Sequence, residues 1–279
     1  MTFLHAFLLG IIQGLTEFIP VSSTAHLLIT QKLLSIPADD AMFSFLVIVQ
    51  LGTIVSLFAF YWKDLISILK STFQALPLLF TKPRETWNLT PDAWLGIYII
   101  VATIPALLAG YLLKDAVEAL FKQPMLEAAI RLLTAAVLLT LAEWLTKKNR
   151  NIDSMTWFDA LFIGVMQVIA VFPGASRSGT TISAGMFRGL DRPSAARFAF
   201  LMSVPVMLAA GGYEMLDVLK MSNLGEFLPL LAVGFVTAAI VGWFAIKWLI
   251  DYLGKHSLYV FASYCAIIGA IVLGVQLLS

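Results

Sequence analysis

The chain has 279 residues, 60% hydrophobic and only 13% charged. Soluble domains run about 45–50% apolar and about 25% charged, so this composition excludes a soluble enzyme. The net charge is +1, with no basic stripe carrying interleaved aromatics, which excludes the electrostatic footprint of a nucleic-acid binder; no nucleic acid is expected as a partner.

The first apolar segment covers residues 3–33 and is interrupted halfway by Pro20 and the run Ser22-Ser23-Thr24. It reads as a broken, re-entrant hairpin. With no Lys or Arg ahead of it and no small-residue cleavage site, it is expected to stay in the mature chain rather than act as a signal peptide. A span is predicted over 43–62, then a long loop over 63–92 with Pro77, Pro83, Trp87 and Pro91, placed at the cytoplasmic interface. Spans follow over 93–113 and 126–146. The segment 157–189 is again broken, by Pro173-Gly174 and Ser176-Arg177-Ser178-Gly179, and reads as a second re-entrant hairpin. Spans over 195–216, 226–249 and 257–278 complete six, each near the roughly 20 residues that a bilayer crossing needs. The apolar runs are continuous rather than alternating, which disfavours an outer-membrane barrel. The expected fold is therefore an all-α polytopic membrane protein, one integral membrane domain over 1–279, with six transmembrane helices and two re-entrant helical hairpins. Cys265, the single cysteine, lies in the last span, so no disulfide or cysteine metal cluster is expected.

Charge tests this topology. If both hairpins enter and leave on one side, twelve of the 18 cations, from Lys63 to Lys255, collect on one face. The other face holds Lys32, Lys114, Lys122 and Lys220, while Arg131 and Arg177 lie within apolar segments. The positive-inside rule makes the richer face cytoplasmic and puts both termini outside.

The two broken segments resemble each other. Gly10-Ile11-Ile12-Gln13, continuing to Phe18 and Pro20, aligns with Gly164-Val165-Met166-Gln167, continuing to Phe172 and Pro173. Pro105-Ala106-Leu107-Leu108-Ala109-Gly110 likewise matches Pro205-Val206-Met207-Leu208-Ala209-Ala210. Two halves of about 1–125 and 126–279 with inverted topology are expected, their discontinuous helices meeting near the membrane midplane.

Chemistry concentrates at these breaks. Gln13 and Glu17 are four apart and share a helix face. A carboxylate at membrane depth is costly unless it is paired, solvated or metal-bound, so Glu17 is a candidate base or metal ligand. The plainer alternative is a hydrogen-bonded Glu17 that locks helix packing. Ser22, Ser23 and Thr24 can cap the next helix, and His26 follows Ser23 by three, within reach of its hydroxyl, as a nucleophile and base would be. Ser176, Arg177, Ser178, Gly179 and Thr181 at a helix start form the parts of a phosphate cradle, because free N–H groups and guanidinium favour anions. The alternative is an Arg177 that pairs structurally with Glu17, which would itself bring the two hairpins together. Gln50 either lines the cavity or joins helices, and Arg131 and Glu143, near opposite ends of one span, are each expected to snorkel or to pair structurally.

With Gln13-Gly14-Leu15-Thr16-Glu17-Phe18-Ile19-Pro20-Val21-Ser22-Ser23-Thr24-Ala25-His26 and Pro173-Gly174-Ala175-Ser176-Arg177-Ser178-Gly179-Thr180-Thr181, the sequence resembles the bacterial undecaprenyl-diphosphate phosphatase family, also known for bacitracin resistance. The resemblance continues through Val49-Gln50-Leu51-Gly52 and from Phe198 to Pro205. It implies an inner-membrane enzyme that hydrolyses a polyprenyl diphosphate to the monophosphate and inorganic phosphate, recycling the cell-wall lipid carrier. It also implies a divalent cation (Mg2+ or Ca2+), an outward-facing site, an inverted-repeat fold with re-entrant helices, and a homodimer. The family allows Glu or Gln at the position of Gln13, so one anionic metal ligand is absent here.

The expected chemistry is phosphoryl transfer at a lipid diphosphate. Ser23 with His26 as base, or His26 itself, attacks the terminal phosphorus, while Arg177 and a cation held by Glu17 balance the charge. Gln13, Ser22, Thr24, Gln50, Ser176, Ser178, Gly179 and Thr181 are the expected substrate contacts. The rival from another class is a transporter or flippase for polyprenyl phosphate or a small anion, since inverted repeats with broken helices also build carriers.

Overall fold

The structure, a computed structural model, describes residues 1–81, 88–112, 123–170, 175–221 and 224–278. Those residues form eleven α-helices and no β-strand. In chain order they are α1 (Phe3–Thr16), α2 (Ser23–Leu33), α3 (Asp40–Phe60), α4 (Trp62–Thr81), α5 (Pro91–Leu112), α6 (Pro124–Leu145), α7 (Trp157–Ile169), α8 (Arg177–Phe187), α9 (Arg192–Val218), α10 (Leu224–Leu253) and α11 (Tyr259–Leu278).

Six of them, α3, α5, α6, α9, α10 and α11, are long and apolar enough to cross a membrane. They coincide with the six predicted spans within a few residues. Their outward faces stay apolar, with Val137 56% and Phe244 62% exposed, which water would not tolerate over so large a surface. The chain is a multi-pass membrane protein. Polar caps start the shorter helices: the Thr2 hydroxyl accepts from the His5 N–H at α1, and Thr156 and Asp159 form a reciprocal capping box at α7.

α1 and α2 are separated by a six-residue break, and α7 and α8 by a second break of which 171–174, including Pro173 and Gly174, lie outside the described residues. Small residues set how closely these short helices approach their neighbours. A Cβ on Gly10 would come within 2.6 Å of the Gly234 carbonyl oxygen, so α1 lies almost backbone to backbone on α10. Gly164 of α7 meets the backbone of Ala102 on α5 in the same way. α10 also packs along α3, α6 pairs with α11, and α9 packs against α3, α5 and α8. α6 touches both α2 and α8, so one long helix supports the second arm of each broken pair.

The 63–92 segment differs from expectation. Residues 62–81 form a helix, α4, packed on α5, where a Cβ on Gly96 would run into Thr72. Its buried positions Ile68, Thr72 and Ala75 follow helical spacing. The charges Lys63, Asp64 and Lys70 and the interior Pro77 hide that period from a search for apolar runs. Lys82, Pro83, Arg84, Trp87, Lys114 and Lys122 lie outside the described residues.

A second polar cluster clamps the entry to α7. Asp159, fully buried, takes Arg150 at 2.7 Å and Arg188 at 2.6 Å. Burial alone would raise its carboxyl, but hydrogen bonds from Arg150, Arg188 and Thr156 outweigh it and bring the pKa down to about 2. Glu143 joins Lys148, Arg192 and the Leu258 N–H, so it serves structure as expected.

Candidate active site

The end of α1 presents Gln13 and Glu17, and the break turns so sharply that Ser22 sits at φ 67°, ψ 92°. A non-glycine residue in left-handed territory is strained, and such strain gathers where a chain must aim side chains at one point. Ser22 then caps α2, accepting from the Ala25 N–H, and Ser23, Thr24 and His26 follow on its first turn. At the second break Ser176 caps α8, accepting from the Gly179 N–H at 3.2 Å, so Arg177 and Ser178 begin that helix.

These two polar ends touch. Arg177 pairs with Glu17, whose carboxylate is only 5% exposed. The other carboxylate oxygen accepts from Gln13 Nε2 at 2.5 Å and from the Ser23 hydroxyl at 2.8 Å. A hydroxyl hydrogen-bonded to a buried carboxylate has a proton acceptor already in place. Beside them lies a polar cavity of about 160 Å3 walled by Glu17, Ser22, Ser23, Thr24, Ser176, Arg177 and Ser178, with Gln50 and Arg131. Next to it is an apolar cavity of about 180 Å3 between α3, α5 and α9, and the two share Gln50, Ala170 and Arg177. The guanidinium thus stands at the boundary between a polar chamber and an oily one.

His26 is placed otherwise than the expected Ser23–His26 pair. Its Nδ1 lies 2.9 Å from the Ser22 carbonyl oxygen, which can only accept, so Nδ1 carries the hydrogen and Nε2 accepts from the Tyr264 hydroxyl at 2.8 Å. The two rings are nearly parallel, 8° apart, with centroids 5.7 Å from each other. Ser23 turns to Glu17 instead. Gly179 and Thr181 stand behind the cavity wall, where the Thr181 hydroxyl donates to the Arg177 carbonyl at 2.8 Å and steadies the turn that carries the arginine.

Three cavity or contact residues were missed by the sequence. Arg131, expected to snorkel or pair structurally, does pair with Glu127 at 2.8 Å and donates to the Ala175 carbonyl, but it also lines the polar chamber. Tyr264 is one aromatic among many in an apolar span and carries no pattern. Gln167 lines the apolar chamber, and its alignment with Gln13 was the available signal.

Among the described residues no three His, Cys, Asp or Glu side chains cluster to hold a metal ion. Two oxygens there could serve a cation: Glu17 Oε1 keeps one lone pair beyond its bond to Arg177, and the buried Gln13 Oε1 has no partner.

The family profile described as bacitracin resistance protein BacA matches residues 6–271. The chain belongs to the BacA family. Relatives in this family include an undecaprenyl-diphosphatase of Alkaliphilus metalliredigens (strain QYMF), 40% identical over the whole of both chains. An undecaprenyl-diphosphatase of Mycobacterium leprae (strain Br4923) is 38% identical over 98% of this chain and 94% of its own. One of Mycolicibacterium gilvum (strain PYR-GCK) is 37% identical over 98% and 96%. The BacA match spans both breaks, so Glu17, Ser23, His26 and Arg177 all fall within it.

Proposed function

We propose that this chain removes the terminal phosphate of undecaprenyl diphosphate, releasing inorganic phosphate and returning the monophosphate carrier to cell-wall synthesis. The observation that carries this reading is the Ser23–Glu17–Arg177 chain at the meeting of a polar and an apolar chamber. A lipid diphosphate is amphiphilic in the same sense. Its two phosphates suit the hydroxyl-lined chamber, and its prenyl chain suits the apolar one.

In this mechanism the Ser23 hydroxyl attacks the terminal phosphorus and passes its proton to Glu17. The bond to the bridging oxygen breaks, and the lipid monophosphate leaves. Water then cleaves the phosphoserine, with Glu17 returning its proton to Ser23. Arg177 spreads the charge on the equatorial oxygens, and Ser22, Thr24, Ser176 and Ser178 donate to the phosphates. His26, hydrogen-bonded to Ser22 and Tyr264, fixes the strained turn ahead of Ser23. Glu17 and Gln13 Oε1 would hold a divalent cation, which supplies neutralisation of the diphosphate charge.

The same reading makes α1/α2 and α7/α8 re-entrant hairpins of an inverted repeat. Its support is the packing: α1 lies on α2 and α10 as α7 lies on α8 and α5, with Gly10 and Gly164 at matching contacts. Among the described residues three candidate spans, α3, α5 and α6, stand between the hairpins; with that odd number the hairpins enter from opposite leaflets. Loop charges favour termini outside and a site open to the periplasmic side of the bacterial inner membrane.

A carrier of polyprenyl phosphate has use for Arg177 but none for a hydroxyl held on a carboxylate. Detergent-purified protein has no compartments, so phosphate release there separates the two. The expected result is cation-dependent release from polyprenyl diphosphate that Arg177→Ala lowers by about 10³-fold. Binding without release would overturn the enzyme reading.

A further inference from the structure

Among the described residues Gln167 is the one buried side chain with two polar atoms that both lack a partner. It lies on the last full turn of α7, 2% exposed, and neither its amide oxygen nor its amide nitrogen has a hydrogen-bond partner. A buried amide left unbonded on both atoms is costly, so native structures rarely keep one without a use. Its repeat mate Gln13 avoids half of that cost, its amide nitrogen donating to Glu17, four residues on. Four residues on from Gln167 the sequence has Val171, whose side chain offers no acceptor.

The amide lines the apolar chamber, whose wall is otherwise made of Val47, Ala106, Val206, Met207 and similar residues. Only Gln50 and Arg177 share that wall as polar groups, and both also border the polar chamber. Three side chains able to donate therefore line an otherwise oily space, two of them shared with the polar chamber. An anionic group attached to an apolar chain fits there: its charge meets Arg177 and the two amides, and its chain continues among the aliphatic residues.

We propose that Gln167, with Arg177 and Gln50, forms the subsite for the phosphate that remains on the lipid, Gln167 donating from Nε2 to a non-bridging oxygen. This rests on the phosphatase reading above and adds a division of labour to it. The terminal phosphate, destined to leave, is handled by Ser23 and Glu17, and the retained one by Arg177 with two neutral amides, Gln167 and Gln50. A neutral donor orients the retained group without adding the full charge attraction that would slow product departure.

The test is direct binding to purified detergent-solubilised protein, wild type against Gln167→Met, with farnesyl monophosphate and inorganic phosphate as separate probes. A hydrogen bond to a charged group corresponds to roughly ten-fold or more in affinity, so the monophosphate should bind about ten-fold more weakly to the variant. Inorganic phosphate should bind both proteins alike. With farnesyl diphosphate as substrate the loss should fall on KM rather than kcat. Removal of an unsatisfied buried amide should leave the unliganded Tm equal or higher, which separates loss of a contact from loss of the fold. Equal monophosphate binding by the two proteins, equal weakening of both probes, or no monophosphate binding at all would overturn the subsite. Binding needs no turnover, so a chain that binds the monophosphate through Gln167 yet releases no phosphate sinks the phosphatase reading and leaves the subsite standing.

Discussion

Arg177 donates to Glu17 across 160 residues of sequence, and this ion pair is the point at which the two broken helix pairs meet. The carboxylate is almost fully enclosed, whereas the guanidinium keeps 22% of its side-chain surface toward the cavities. Arg177 can thus hold Glu17 with one nitrogen and a phosphate with others. Arg177→Ala is expected to lower kcat/KM by about 10³-fold, as loss of a preorganised donor does. Arg177→Lys should recover only a small part, because an ammonium cannot reproduce the planar fork. Phosphate-release assays on folded protein check both, and activity of Arg177→Ala within ten-fold of wild type would refute the role.

Ser23 bonds Glu17 and His26 bonds Tyr264, which gives separable expectations. Ser23→Ala should lose at least about 10²-fold in activity, since no other hydroxyl donates to Glu17 among the described residues. Tyr264→Phe should cost about ten-fold or less, because it only releases Nε2 of a ring still anchored through Nδ1. Acid quenching of enzyme with labelled substrate should trap phosphate on wild type and none on Ser23→Ala. Trapped label at His26 would reassign the nucleophile.

Among the described residues Glu17 is the one carboxylate lining the polar chamber, and Gln13 adjoins it at 2.5 Å. A chelator should abolish phosphate release, and Mg2+ or Ca2+ should restore it. Gln13→Glu places a second carboxylate beside the first, so half-saturation by the cation should move to about ten-fold lower concentration. A cation titration of the two proteins decides this; an unchanged or weaker requirement in the variant would remove Gln13 from the cation site.

Asp159 gives the acid limb of stability. Its folded carboxyl lies near 2, below the ordinary 3.8, so the stabilisation is complete above the ordinary value and is lost as pH falls through the folded one. Thermal melts from pH 6 downward should therefore hold steady to about pH 4 and fall below it. Asp159→Asn leaves Arg150 and Arg188 without a counter-charge and should cost about 2–4 kcal/mol near neutrality. Its melting temperature should also depend less on pH below 4 than that of wild type.

Spacing and composition by themselves determined the six spans, the two polar breaks and the residue types gathered there, because burial in lipid demands long apolar runs and makes every charge within them conspicuous. Glu17 beside Gln13, and Ser176 ahead of Arg177, are local relationships along one helix or its cap, and helical geometry alone carries them. The helix α4 escaped because its buried stripe of Ile68, Thr72 and Ala75 is not a continuous apolar run. Only the tertiary structure decided that Ser23 donates to Glu17 while His26 turns to Tyr264, that Arg131 walls the polar chamber, and that Gln167 has no partner. Those outcomes depend on how α6, α8 and α11 pack around the breaks. Packing is settled by contacts such as Gly10 on Gly234 and Gly164 on Ala102, which join residues far apart in the chain and leave no periodic trace in it.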